Sequence, residues 1–177
     1  MLNLSNMNDI LDKLSGGDRR SIGKADEVAG DIEKDPALFD DVFVGLTVKD
    51  PVLRMRAADV VEKVTFDRPD LLNSHKKEVI SILSTAKQQE VCWHMAQIAP
   101  RLTYNETEES QIVSALKGNL SHKSKIVQVF SMQALADIAE GNEQLQTEII
   151  KIIKNKQKDG SPAIKSRARK LLEDFED

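Results

Sequence analysis

Few residues in this chain are equipped for bond-making chemistry, and they are scattered. The imidazoles and thiol are His75, His94, His122 and Cys92. A zinc site needs ligands in closely spaced pairs, and the three histidines fall in separate stretches. Cys92 and His94 are two apart, which on a helix at about 100° per residue turns their side chains about 200° from one another. Cys92 is therefore expected to be a small packing residue. The acid pairs Asp40-Asp41 and Glu108-Glu109 fall at helix starts or on solvated faces. Gly16-Gly17-Asp18 is a lone glycine pair and reads as a loop. No nucleophile elbow, phosphate loop or dinucleotide fingerprint occurs. The expectation is a protein with no catalytic, cofactor or metal site.

Charge suggests one further chemistry. Between Lys151 and Lys170 lie eight bases and a single acid, Asp159. Lys151, Lys154, Lys165, Arg169 and Lys170 form a candidate anion patch, for phosphates or carboxylates. The stretch lacks interleaved aromatics of the kind that stack on single strands. The acids Glu173, Asp174, Glu176 and Asp177 follow it, and the whole chain carries 25 bases against 29 acids. That balance argues against a general nucleic-acid binder.

Composition sets the frame for positioning these residues. At 177 residues, 40% of them hydrophobic and 4% aromatic, the chain can build one medium domain packed mainly by Leu, Ile, Val and Ala. One cysteine excludes an intrachain disulfide and fits a reducing compartment. Met1 to Leu14 lacks the basic start and apolar run of a secretory leader, and no segment approaches the roughly 20 apolar residues of a membrane span. A cytoplasmic monomer is expected.

The elements come from a recurring phrase. Leu53–Val64, Val91–Leu102, Val127–Ile138 and Ile164–Phe175 each carry apolar residues at places 1, 9 and 12, with small or apolar residues between. Their starts differ by 38, 36 and 37 residues. A fixed step of that size marks stacked helical hairpins. Each phrase is the second helix of a hairpin. The first helices are expected over Ala37–Thr47, Glu78–Ala86, Thr107–Leu120 and Thr147–Lys154, from i, i+3, i+4 apolar spacing. A degenerate first copy, Asn8–Leu14 followed by Ser21–Ile32, precedes them. Asp35-Pro36, Asp50-Pro51 and Ser161-Pro162 pair a good N-cap with proline at the first helical position. Gly118-Asn119, Gly141-Asn142 and Asp159-Gly160 mark turns or helix ends. The result is one domain of five hairpins, over about 5–33, 36–71, 73–104, 106–140 and 146–177.

The stretch Asp50-Pro51-Val52-Leu53-Arg54-Met55-Arg56-Ala57-Ala58-Asp59-Val60-Val61 resembles the second helix of a HEAT repeat, whose pattern runs Asp-Pro, Val-Arg, a pair of Ala, then Leu. Ile164-Lys165 and Val127-Gln128 echo the Val-Arg step, and Val91-Cys92 departs from it. Gln88 to His94 also resembles small bacterial HEAT-like proteins of unassigned activity. The resemblance implies an all-α, right-handed α-solenoid of about five HEAT-like hairpins that binds proteins on its concave side, lined by the second helices. It also brings two alternatives. HEAT-like folds resemble alkylpurine DNA glycosylases, where Trp93, Arg56, Arg101 and Asp59 would take the damage-binding and catalytic roles. A HEAT-like subclass attaches bilins, and nothing beyond repeat shape points there.

Turning the helix identifies the surface to watch. Places 1, 5, 8, 9 and 12 cluster on one side, and place 3 lies opposite with place 7 beside it. Place 3 reads Met55, Trp93, Val129 and Ser166. Place 7 reads Asp59, Gln97, Gln133 and Lys170, and place 4 reads Arg56, His94, Phe130 and Arg167. Three apolar residues in successive copies on the side expected to be wet suggest a groove floor of Met55, Trp93 and Val129. Its walls would be Arg56, Asp59, His94, Gln97, Phe130, Gln133 and Arg167, and its ligand a protein or peptide. The plainer alternative is that neighbouring repeats bury these side chains.

Overall fold

The computed structural model describes residues 4–18 and 20–176, with side chains described from Asp9 onward. The first three residues of the stretch read as lacking a secretory leader lie outside the described residues, as does Asp177 of the C-terminal acids. Every regular element among the described residues is a helix. In chain order these are α1 (Leu4–Leu14), α2 (Ala25–Lys34), α3 (Leu38–Val44), α4 (Pro51–Asp67), α5 (Lys76–Thr85), α6 (Gln89–Ile98), α7 (Glu106–Asn119), α8 (Lys125–Ile138), α9 (Glu143–Asp159) and α10 (Pro162–Asp174). Three 3-10 turns, Gly45–Thr47, Pro69–His75 and Ala99–Arg101, extend or join them.

The helix ends follow local chemistry. Asp50 accepts a hydrogen bond from the Val52 amide at 2.8 Å, with Pro51 opening α4. Asn105 and Glu108 form a reciprocal capping box at the start of α7, each side chain accepting from the other's amide at 3.0 Å. Asn142 accepts from the Leu145 amide at 3.1 Å to start α9, just after Gly141 turns the chain at a φ of 77°. A side chain at that φ would be strained.

Boundaries depart from the sequence expectation where a local feature outweighs periodicity. Ser21 does not begin a helix. Gly23 sits at a φ of 58°, the Ser21 hydroxyl accepts from its amide at 3.0 Å, and α2 starts only at Ala25. Asp35 accepts from the Ala37 amide, so Pro36 belongs to a turn and α3 begins two residues later. Gly118-Asn119 does mark a helix end, since α7 stops at Asn119. α9 runs past Lys154 to Asp159, because the polar tail contains no breaker until Gly160. A Cβ on Gly160 would lie 2.5 Å from the Lys156 carbonyl and from Ile164, so the α9–α10 turn is tight enough to require glycine.

The even-numbered helices pack in an unbroken row, α2 on α4, α4 on α6, α6 on α8 and α8 on α10. Ala57, Ala58, Ala96, Ala134 and Ala168 are fully or nearly fully buried along this row, and their size lets backbones approach closely. The odd-numbered helices pack only in pairs, α1 on α3 and α5 on α7; α3–α5 and α7–α9 do not pack closely. Polar ties between successive helix pairs join residues some 34 to 37 positions apart. Lys63 reaches Asp26 across 37 residues, Arg54 reaches Gln88 across 34, and Lys156 reaches the Leu120 carbonyl across 36. The core is continuous from Ile10 to Leu171 and is dominated by aliphatic side chains.

Candidate functional site

The outward surface of the even-numbered helices was singled out as the place to look. On α4 the outward residues are Met55, Asp59, Glu62 and Phe66, at i, i+4, i+7 and i+11 spacing, opposite the buried Ala57, Val60, Val61 and Val64. On α6 they are Trp93 and Gln97, and on α8 Ile126, Val129 and Gln133, with Glu140 just past its end. Phe66 is 74% exposed, Ile126 42% and Ile22 43%, which places three large exposed apolar residues on or beside this surface; the fourth, Val44, belongs to α3.

Five of the ten expected groove residues share one hollow. Met55, Arg56, Asp59, Trp93 and His94, together with Glu90, line a space of about 280 Å³ that is roofed by Arg20, Ser21 and Ile22. The roof was not anticipated, since those residues were expected to open a helix. The glycine at 23 was the available signal. Met55 is only 8% exposed and Trp93 is half-buried, with its ring 5.4 Å from that of His94. Val129 and Phe130 are half-buried against the core and lie outside this hollow. Gln97 is half-buried on α6 beside Trp93. Gln133 lines a second hollow of about 280 Å³ with Asp137, Glu140, Gln146, Asp174 and Phe175. Arg167 is half-buried on α10, with its Nε unpartnered.

Arg56 lines the hollow, yet its guanidinium is turned into the fold. It is 3% exposed, and its guanidinium donates to five main-chain carbonyls in the turn after α1: Leu14 at 2.9 Å, Ser15 at 3.1 Å, Gly16 at 2.7 Å, Asp18 at 3.4 Å and Ser21 at 3.1 Å. The carbonyl end of α1 carries negative partial charge and lacks helical partners, so a cation there answers both. Place 4 behaves alike in the next two copies. His94 is 8% exposed, and Phe130 packs against the core. The flank 100° round from place 3 faces the neighbouring repeat, so these side chains fill the seam. Burial holds the His94 imidazole below its usual pKa, and its Nδ1 has no hydrogen-bond partner.

Other candidates sit as follows. Asp59 is tied to Lys63 at 2.7 Å. Arg101 donates to the Glu62 carbonyl, the Glu62 carboxylate and the Thr65 hydroxyl, and its guanidinium lies 5.7 Å from the Phe66 ring centroid. Arg56 and Arg101 are thus both committed inside the fold, while Trp93 and Asp59 share the hollow. Cys92 is buried, its thiol donates to the Ala86 carbonyl at 3.4 Å, and burial raises its pKa, so little reactive thiolate forms. Lys151, Lys154, Lys165, Arg169 and Lys170 are all exposed at the C-terminal end and enter no ion pair among the described residues. No helix is long and apolar enough to cross a membrane. No protein-family model matches the chain, and no characterised protein or solved structure matches it significantly.

Proposed function

We propose that the chain is a right-handed HEAT-type solenoid of five hairpins, α1–α2 to α9–α10, that acts as a non-catalytic scaffold and binds a protein segment along its even-numbered helices. The observation that carries this reading is the hollow at Met55 and Trp93, continued by exposed Ile22, Phe66 and Ile126 on the same side. Exposed apolar surface gathered on one face marks an interaction site. Tryptophan in a partly enclosed pocket is a residue type that dominates binding energy.

The test is selection from a displayed library of 15-residue peptides against the whole chain. Binders are then compared on Trp93→Ala, Gln97→Arg and, on the outer helix α5, Ser81→Arg. Binding lost in the first two variants and retained in the third supports the scaffold reading. Binding indifferent to Trp93 and Gln97 refutes it.

A further inference from the structure

We infer that the segment received by this face is basic, with an apolar anchor for the Trp93 hollow and a cationic side chain for the second hollow about two helices away. The inference rests on the scaffold reading and adds the partner's chemistry. Between α2 and α6 the charges on this face are largely paired, and the acids outside any ion pair among the described residues, Asp137 and Glu140, lie at the end of α8 and just past it. Acids Asp26, Asp59, Glu62, Glu90, Asp137 and Glu140 stand on or beside the face, whereas Glu27 turns to Lys13 of α1 at 2.9 Å. The bases among them are already held from within. Lys63 lies between Asp26 at 2.6 Å and Asp59 at 2.7 Å, and Arg101 is held by Glu62. Arg20, at the rim of the first hollow, faces Asp18 at 3.2 Å.

The second hollow is sharper still. Carboxylates Asp137, Glu140 and Asp174 line it with Gln133, Gln146 and the Phe175 ring; Gln133 donates to Asp137 at 2.5 Å, and Arg167, the nearby base, acts on Asp137 from outside the lining. A guanidinium or ammonium entering there would meet carboxylates, amide oxygens and an aromatic ring, the groups that recognise such cations. An acidic side chain entering there would be repelled. On α10 the balance reverses, with exposed Lys165, Arg169 and Lys170, which bounds the basic stretch of the ligand.

The spacing is also set. The first hollow lies between α4 and α6 and the second between α8 and α10, two helix-to-helix steps apart. At 8–10 Å per step that is roughly 16–20 Å. The second hollow also lies about seven residues further along its helices, about 10 Å at about 1.5 Å per residue, so the span is about 19–23 Å, or about six to seven residues of extended chain.

The test uses two fluorescein-labelled 15-residue peptides in a Gly/Ser background. One has Leu and Arg six residues apart with two flanking Lys; the other has Glu in place of Arg and Lys. Fluorescence anisotropy is read with the whole chain at low and near-physiological salt. The basic peptide is expected to bind, to weaken about fivefold or more with salt, and to weaken about tenfold on Trp93→Ala or on the exposed pair Glu140→Lys with Asp174→Lys. Circular dichroism checks that both variants stay folded. Equal binding of the two peptides overturns the inference, as does absence of binding by the basic one. Library binders that depend on Trp93 and Gln97 but show no basic bias overturn the charge argument and leave the scaffold reading standing. Binders elsewhere overturn both.

Discussion

Replacing Arg56 with methionine removes the guanidinium and keeps much of the stem, so the outcome reports on its hydrogen bonds to the turn after α1. Hydrogen bonds to a charged group are worth about 1.5–3 kcal/mol each. Three of these carbonyls share the two protons of one nitrogen, and those near the surface regain water in the variant, so the full sum is not lost. Breaking one side of a buried charged contact costs about 3–5 kcal/mol, the expected range here. For a chain of this size 1 kcal/mol moves the melting temperature by about 2–4 °C, so the fall is roughly 6–20 °C. Gly23→Ala attacks the same joint from the other side, because its Cβ would lie 2.7 Å from the Arg56 guanidinium carbon at a φ of 58°. Thermal denaturation gives the magnitude, and hydrogen exchange should show the loosening concentrated in α1, α2 and the turn between them. An Arg56→Met variant within about 1 kcal/mol of the parent would refute the tether.

Trp93 is the only tryptophan, so its emission reports on the hollow directly. Acrylamide should quench it partially, because its half-buried ring lines the hollow; complete insensitivity would place the ring in the core and contradict the hollow. His94 is held below its usual pKa by burial, so the folded state resists its protonation. Stability is therefore intact above the unfolded-state pKa, near 6.5, and declines as pH falls from there toward the folded-state value. His94→Gln should show a shallower loss between about pH 7 and pH 5 in urea titrations, and an identical loss would exclude this imidazole as the source. Asn105→Ala removes one arm of the α7 capping box and should cost about 1 kcal/mol by the same titration.

The helical class and all ten helices were legible because aliphatic spacing and caps are local properties. The phrase beginning at Leu53 also located the buried side of each even-numbered helix, as Val60, Val61, Met95, Ala96, Leu135 and Ala168 show. Arg56 was misplaced for a physical reason. A helical wheel gives an angle, and place 4 lies on a flank that is wet or dry depending on what stands beside it. The loop carbonyls that claim Arg56 lie 35 to 42 residues earlier, and no periodicity encodes that meeting. The roof of the hollow was missed likewise, because Ser21 and Ile22 fit the degenerate copy and only the backbone of Gly23 breaks it. The 3-10 turn Pro69–His75 carries no repeating pattern and was left as connection.

The uneven packing of the two rows has a mechanical consequence. The even-numbered helices act as the bound spine of a book whose covers part at two places, between α3 and α5 and between α7 and α9. The first opening is latched by His75 on Asp40 at 2.7 Å and the second by Lys117 on Glu148 at 2.6 Å, all solvent-accessible contacts that water can replace cheaply. Bending therefore concentrates at the second latch, since at the first the His75 ring also stacks on Phe43 with 4.1 Å between centroids and parting them exposes apolar surface.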